Sequence, residues 1–338
     1  MARKQILQVA CSNPVAAFRH IKDFLLGRHG IADYSVSGVG WTVTDSSYAG
    51  GDQDAPVAND WVVLASNGEA STYPTYLKLT CTSGNLDARM YLLWDATNHT
   101  GLVEAWGATN IGNGATTCSL SVFASLDYAH IVVQPSGSNY WYWCPLGRIT
   151  TDLLAYDGAA VQSTAAASAG SNVVIACASI PTVWVVGTKL YCWSAAGIEE
   201  VTIIAIDVGV DTITVANLAV AKPAGSWLAE DVCIFAGESA LTSTTSVTGA
   251  PSRASLAADI RIYLKYGGAS LYADDAKYGD RVAEHMAITT TNQQRGMMPG
   301  LLVTTTIPTQ YTAWTERRSG RRFRLVMAYS GINLAFEE

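Results

Sequence analysis

The sequence predicts a mainly β protein: an antiparallel β-sandwich body with a short N-terminal helix and an inserted small β-barrel domain. Three observations carry that expectation. Polar–apolar alternation of period two recurs through most of the chain. Clusters of Gly, Asn, Ser and Pro interrupt it at about 8–12-residue spacing, as short strands joined by turns require. One strong helical pattern stands near the start, and nothing comparable follows it.

The helix comes first. Ser12 or Asn13 can cap it, and Pro14 suits a first helical position, which needs no N–H partner. Phe18, Ile21 and Leu25 then recur at helical spacing, with Ala17 and Phe24 beside them. Gly27 can close it in a left-handed conformation. An amphipathic helix of this kind lies against a sheet or against a neighbouring subunit, so Phe18, Ile21 and Leu25 are candidate interface residues.

Strands are predicted next around Trp61–Ala65, Tyr76–Thr82, Arg89–Trp94, Ser119–Ser125, Ile131–Gln134 and Tyr140–Cys144. Leu77, Leu79 and Cys81 alternate with Lys78, Thr80 and Thr82, describing a sheet with one buried and one wetter face. With the helix, residues 1–150 read as one sandwich unit. A small polar stretch follows, and residues 155–236 read as a compact barrel insertion. Its strands are expected at Asn172–Ala178, Thr182–Val186, Lys189–Trp193, Glu200–Ile206, Thr212–Val215 and Asp231–Phe235. Gly237–Ala254 is rich in Ser and Thr and reads as a linker. Residues 255–338 return to strands, with a short helix expected within Asp274–Met286, and are expected to complete the first domain.

Composition narrows the function. Charged residues are 14% of the 338, against roughly 25% in an average soluble protein, so little ionic hydration opposes packing against a partner. The formal net charge is −7, which argues against general nucleic-acid binding. One basic cluster, Arg317, Arg318, Arg321, Arg322 and Arg324, surrounds Ser319 and Gly320. It reads as a hairpin with charged shoulders, or as a contact for an acidic partner or nucleic acid. No secretory signal or long apolar run is evident, so a cytosolic origin and no membrane partner are expected. The seven cysteines form no CxxC pair and read as buried small hydrophobes, with pairing within or between chains as the alternative.

Catalytic patterns are missing from the sequence. GxSxG, HExxH, GxxxxGK[ST] and GxGxxG do not occur. The five histidines are scattered, and the adjacent Glu199 and Glu200 point to opposite faces of a strand. Asp207 to Asp211 lacks the further ligands of a calcium loop and reads as a turn. No enzyme activity, metal or cofactor is expected. The aromatics are more informative, with ten Trp and sixteen Tyr. Tyr140, Trp141, Tyr142 and Trp143 alternate across a strand, for the core and a subunit interface or, alternatively, for a sugar platform.

The runs GVGWTVTDSSYAGG, NDWVVLASNGEASTYPTYLKL, MYLLWDATNHTG and SLDYAHIVVQPSGSNYWYWCPLGRI together resemble virion structural proteins of tailed bacteriophages. The stretch VVGTKLYCWSAAGIEEVTIIAIDVGVDTITVANL resembles the small β-barrel insertions of such proteins. The resemblance covers about residues 35–150 and the module, extends weakly to the C-terminal portion, and transfers no catalytic residue. It implies a tail, baseplate or neck component, repeated around a symmetry axis and made in the host cytoplasm. Its expected partners are copies of itself and other virion proteins. A receptor- or host-glycan-binding module is the alternative, and a lytic glycosidase the third reading.

Overall fold

The computed structural model describes residues 4–27, 39–47, 57, 59–66, 73–82, 86–111, 117–137, 142–148, 160–230, 234–240, 246–250, 283–290, 293–304, 313–315, 320–329 and 332–337. The described chain is mainly β, with antiparallel sheets and one helix. It begins with β1 (Lys4–Cys11) and α1 (Pro14–Leu26). Eight strands follow: β2 (Thr42–Ser46), β3 (Trp61–Ala65), β4 (Tyr76–Cys81), β5 (Leu86–Asp95), β6 (Thr100–Ile111), β7 (Cys118–Ala124), β8 (Tyr128–Pro135) and β9 (Tyr142–Arg148). A module then holds β10 (Ala160–Gln162), β11 (Gly170–Ala176), β12 (Lys189–Ser194), β13 (Gly197–Asp207), β14 (Thr212–Leu218) and β15 (Trp227–Ala229). Last come β16 (Ile234–Ala240), β17 (Ser246–Ala250), β18 (Ala283–Thr290), β19 (Gln293–Thr304), β20 (Ala313–Thr315), β21 (Arg322–Tyr329) and β22 (Ile332–Glu337).

The helix starts and stops where its caps dictate. The Asn13 side chain accepts the Ala16 N–H at 2.9 Å, Pro14 takes the first position, and Gly27 turns left-handed at φ 82°. The chain then folds back so that Val39, Gly40 and Trp41 donate to the last carbonyls, those of Phe24 and Leu25. The Phe24 carbonyl also accepts the Gly27 N–H at 3.2 Å, so the fold-back completes the capping of the helix end. Phe18, Ile21, Phe24 and Leu25 are fully buried, each stabilising by about 1.5–3 kcal/mol relative to exposure.

Two sheets enclose that helix. One is the meander β2-β3-β4-β5-β6; the other runs β1-β7-β8-β9-β16-β17. Helix α1 touches β4 and β5 of the first and β1 and β7 of the second, while β6 lies against β16 and β17. A single core results, in which Leu77, Leu79, Met90 and Leu92 meet Leu120, Val122, Ile131 and Leu146 around the helix.

The remaining C-terminal strands add a third layer rather than strands to those two sheets. They form the sheet β18-β19-β22-β21-β20. Phe336 of β22 stacks on Phe123 of β7 with ring centroids 4.7 Å apart, and also meets His130 and Trp143. The six-stranded sheet is therefore covered on both faces, and β8 is buried at nearly every position. Glu337 is also buried, and its carboxylate receives both the Nε (2.6 Å) and a terminal amine of Arg321.

The module enters between the neighbouring strands β9 and β16. Its six strands run β10-β15-β12-β13-β14-β11 as a curled, half-barrel sheet. The edges meet at one bridge, Ser163 to Cys177, flanked by hydrogen bonds from Thr164 to Ala176 and from Ala178 to Gln162. Ile175, Leu190, Val201, Ile203, Ile213, Val215 and Leu228 fill its interior. Its near end joins the main core through Tyr191, Trp193 and Ala229, with Trp193 edge-on to Tyr73 at 5.0 Å.

Several expected elements differ. Ile234–Ala240 and Ser246–Ala250 form strands β16 and β17 over part of the expected linker, because Thr and Val in SVTGA suit a pleated strand. Thr182–Val186 is a turn rather than a strand. Ala283–Met286 opens β18 instead of ending a helix. The expected strand Ala257–Tyr266 lies outside the described residues.

Candidate functional site

Four of the residues expected at an interface, Phe18, Ile21, Leu25 and Trp143, are buried inside the molecule. Phe18, Ile21 and Leu25 face the sandwich core, because the helix is clasped by sheets on two sides. Trp143 is fully buried in the second sheet, and its Nε1–H points to His130 Nδ1 at 3.3 Å. Tyr142 is half-buried against the core. The third layer takes the side of the sheet that an isolated sandwich would leave wet, which removes Trp143 from any sugar platform. Tyr140, Trp141, Arg317 and Arg318 lie outside the described residues. Of the remaining arginines, Arg321 pairs with Glu337, and Arg322 is exposed at the start of β21.

The acidic and histidine candidates resolve in the same way. Glu199 accepts the Ala219 and Val220 N–H groups and pairs with buried Lys222 at 3.1 Å. Glu200 pairs with Lys189 on the other face. Asp207 accepts the Gly209 N–H at 2.9 Å, the hydrogen bond of a tight turn. His130 is packed among Tyr128, Trp143 and Phe336. Among the described residues no group of three or more His, Cys, Asp and Glu is arranged to hold a metal ion. No described helix is long and apolar enough to cross a membrane.

Two surfaces were not legible in the sequence. One lies on the outer face of the first sheet. Leu92 and Leu93 both pack toward the core, and Trp94 comes out beside Tyr91, Val63, Trp61 and Tyr76. Asp45 Oδ2 accepts Trp94 Nε1–H at 2.8 Å and lies 2.9 Å from His99 Nδ1. The Lys78 ammonium sits over both Trp61 and Trp94, at 4.7 and 5.4 Å from their centroids. Burial, and then the neighbouring Arg89 charge, lower the Lys78 pKa. Trp61 is half-buried and His99 exposed, edge to face at 5.5 Å. The sequence signal was the DATNHT turn, which places a histidine opposite an aspartate 54 positions earlier.

The other surface is aliphatic. Among the described residues, every exposed large hydrophobic except Val57 lies on the module. Most gather at one end. Val208 and Val210 occupy the β13–β14 tip, and Ile204 precedes them on β13. The turn bearing Val183, Val185 and Val186 is fastened to β13 by the bond from Gly187 N–H to the Ile203 carbonyl. Cys177, just before that turn, donates to the Asp211 carbonyl, just past the tip. Ile198, at the other end of β13, packs against the main core. About 30 Å of strand thus separates the body contact from the aliphatic tip. Val208 is 74% exposed where turn chemistry favours a polar residue. That mismatch, valines inside DVGVD, was the available signal.

No protein-family profile and no curated protein sequence matches this chain.

Proposed function

We propose that this chain is a structural subunit of a tailed-bacteriophage particle, a component of tail, baseplate or neck that joins its neighbours through the tip of the half-barrel module. The observation that carries the reading is that, among the described residues, all exposed large aliphatics but Val57 lie on the module, mostly at the end away from the body. Water-exposed Val and Ile side chains gain about 1.5–3 kcal/mol each when a partner covers them fully. A patch of several therefore drives association, and large exposed apolar patches mark interaction sites. The low charge content and the resemblance of the sequence to virion proteins support the same reading. The three-layered body supplies a rigid base, and the module carries the contact outward.

The test is copy number and contact in the particle. Cross-linking mass spectrometry of intact particles is expected to place Lys189, on the module, against another subunit, and light scattering of the purified chain is expected to show concentration-dependent oligomers. A chain that stays monomeric at high concentration and is missing from purified particles sinks the reading.

A second reading has its own observation. The half-exposed Trp61, with exposed His99 and the Asp45 carboxylate beside it, combines an aromatic face with polar groups, as sugar recognition requires. Binding on a glycan array that is lost in Trp61→Ala would favour it; an empty array would end it.

A further inference from the structure

We propose that Cys11 and Cys118 form a modification site, a facing thiol pair that a small disulfide such as oxidised glutathione converts into a cross-strand disulfide. Cys11 ends β1 and Cys118 opens β7, and they are direct partners in the antiparallel register. Opposed residues of such a ladder hold their α-carbons about 4.5–5.5 Å apart. That separation falls within the range of about 4.4–6.8 Å that a disulfide spans. Both residues are buried free thiols of the main core.

No other described cysteine faces a cysteine across a ladder. Cys81 opposes Leu86, Cys144 opposes Ile131, Cys192 lies between Glu199 and Leu228, and Cys177 bridges to Ser163. The pair also lies at the rim of the core. Ala10, Ser12 and Thr117, its chain neighbours, are exposed, so a small oxidant meets the sulfurs after a slight opening of the strand end.

The two thiols are unequal. The facing Cys118 sulfur, and then burial, hold Cys11 above its ordinary range, and the facing Cys11 holds Cys118 below its own, while the Cys11 thiol donates to the Val9 carbonyl at 3.6 Å. Cys118 is therefore the attacking group. Its thiolate attacks one sulfur of glutathione disulfide, the S–S bond breaks, and one glutathione leaves as a thiolate that takes up a proton. Cys11 then gives its proton to solvent and attacks the Cys118 sulfur, expelling the second glutathione. Two protein thiols and one glutathione disulfide become one protein disulfide and two glutathione thiols, with two electrons passing to glutathione.

The bond would act on a strand with reason to be fastened. β1 is an edge strand, its register with β7 is broken by a bulge between Ile6 and Val9, and its end leads directly into α1. An unfastened edge can pair with another chain. The cross-link keeps β1 from leaving β7 and constrains the unfolded chain over a long loop.

The test uses the full chain, fully reduced, equilibrated natively in glutathione buffers of rising oxidised fraction, then alkylated and peptide-mapped by mass spectrometry. The expected map shows one linked pair, Cys11 with Cys118, the other cysteines alkylated, and a raised melting temperature. Cys11→Ala is expected to accumulate a glutathione adduct on Cys118, while Cys118→Ala leaves Cys11 a thiol. The proposal is overturned if, in the wild-type chain, these two remain thiols or link elsewhere at an oxidised fraction that fully oxidises the urea-unfolded chain. The wild-type peptide map is decisive by itself, so the test stands even where a variant fails to fold.

Discussion

The ring of Tyr91 lies directly over the α-carbon of Gly101, so closely that a β-carbon at position 101 would stand 2.1 Å from Tyr91 Cδ1. Gly101 faces Trp94 across the β5–β6 ladder, and Tyr91 leans along the strand to cover it. Tyr91 is thereby held against Trp94, at 5.5 Å between centroids, and the aromatic outer face is ordered. Gly101→Ala forces the ring away and should cost about 1–3 kcal/mol, the range for an over-packed site. Urea denaturation measures it. A Tyr91→Ala background should cancel most of the loss, because the three atoms nearest that β-carbon all belong to the Tyr91 ring.

Phe336 should be the anchor of the third layer. It stacks on Phe123 with planes 17° apart and touches His130 and Trp143, all fully buried or nearly so. Phe336→Ala should destabilise by about 3–5 kcal/mol, whereas Phe336→Leu should lose less than half of that. Limited proteolysis separates local from global failure. Cleavage that begins within residues 283–337 while the sandwich core resists would show the layer detaching first.

These buried aromatics mark where the sequence could and could not be read. Helix α1 was legible from Asn13 to Gly27 because caps and periodicity are local. Strands β4 and β5 were legible because one face of their sheet is wetter, which preserves alternation. β8 and β9 were half legible. Their sheet is the middle layer, so both faces are apolar and Trp143 gives no sign of which side it faces. β1 was missed, because KQILQVAC carries a bulge with Gln8 at φ 53° and no clean alternation. Thr182–Val186 misled in the opposite sense. Its β-branched residues favour a strand, and the tertiary structure uses them in an exposed turn. The Asp45–His99 pair joins residues 54 positions apart, and only the fold brings them together.

Asp45 secures that edge of the first sheet. Its carboxylate accepts the Trp94 indole N–H and the His99 imidazole contact on one oxygen. Asp45→Ala leaves the largely buried indole N–H without its acceptor and should cost about 1–3 kcal/mol. His99→Ala removes an exposed partner and should cost about 1 kcal/mol or less. Denaturation curves for the two variants order them. A red shift of tryptophan emission is expected for Asp45→Ala, as the Trp94 ring gains water.

Alkaline stability should report on the module. Burial pushes the Cys177 thiol up from 9.0 to about 11 and the Cys192 thiol up to about 12. In the unfolded chain both ionise near pH 9, while the folded module keeps them protonated. The unfolded state therefore releases protons first, and the stability these thiols contribute is present below pH 9 and lost progressively as pH rises toward about 11–12. Melting curves between pH 8 and 10.5, taken under reducing conditions, should fall more steeply for the wild-type chain than for Cys177→Ala or Cys192→Ala. Equal slopes would mean that these thiols are not shielded from water.

The tip valines should separate folding from assembly. Val208 and Val210 touch water rather than the module interior, which Ile203, Ile213 and Val215 fill. Val208→Asp with Val210→Asp should therefore change the unfolding free energy by about 0.5 kcal/mol or less per site. Ile213→Ala, close by in the chain but inside the barrel, should cost about 2–5 kcal/mol. If the tip is a subunit contact, the order reverses in association. The double aspartate variant should remain a folded monomer at concentrations where the wild type assembles, because each added carboxylate must be stripped of water to enter an apolar contact. Sedimentation velocity and urea melts on the same samples decide the matter. Association unchanged in the aspartate variant, with its fold intact, would move the subunit contact off the module tip.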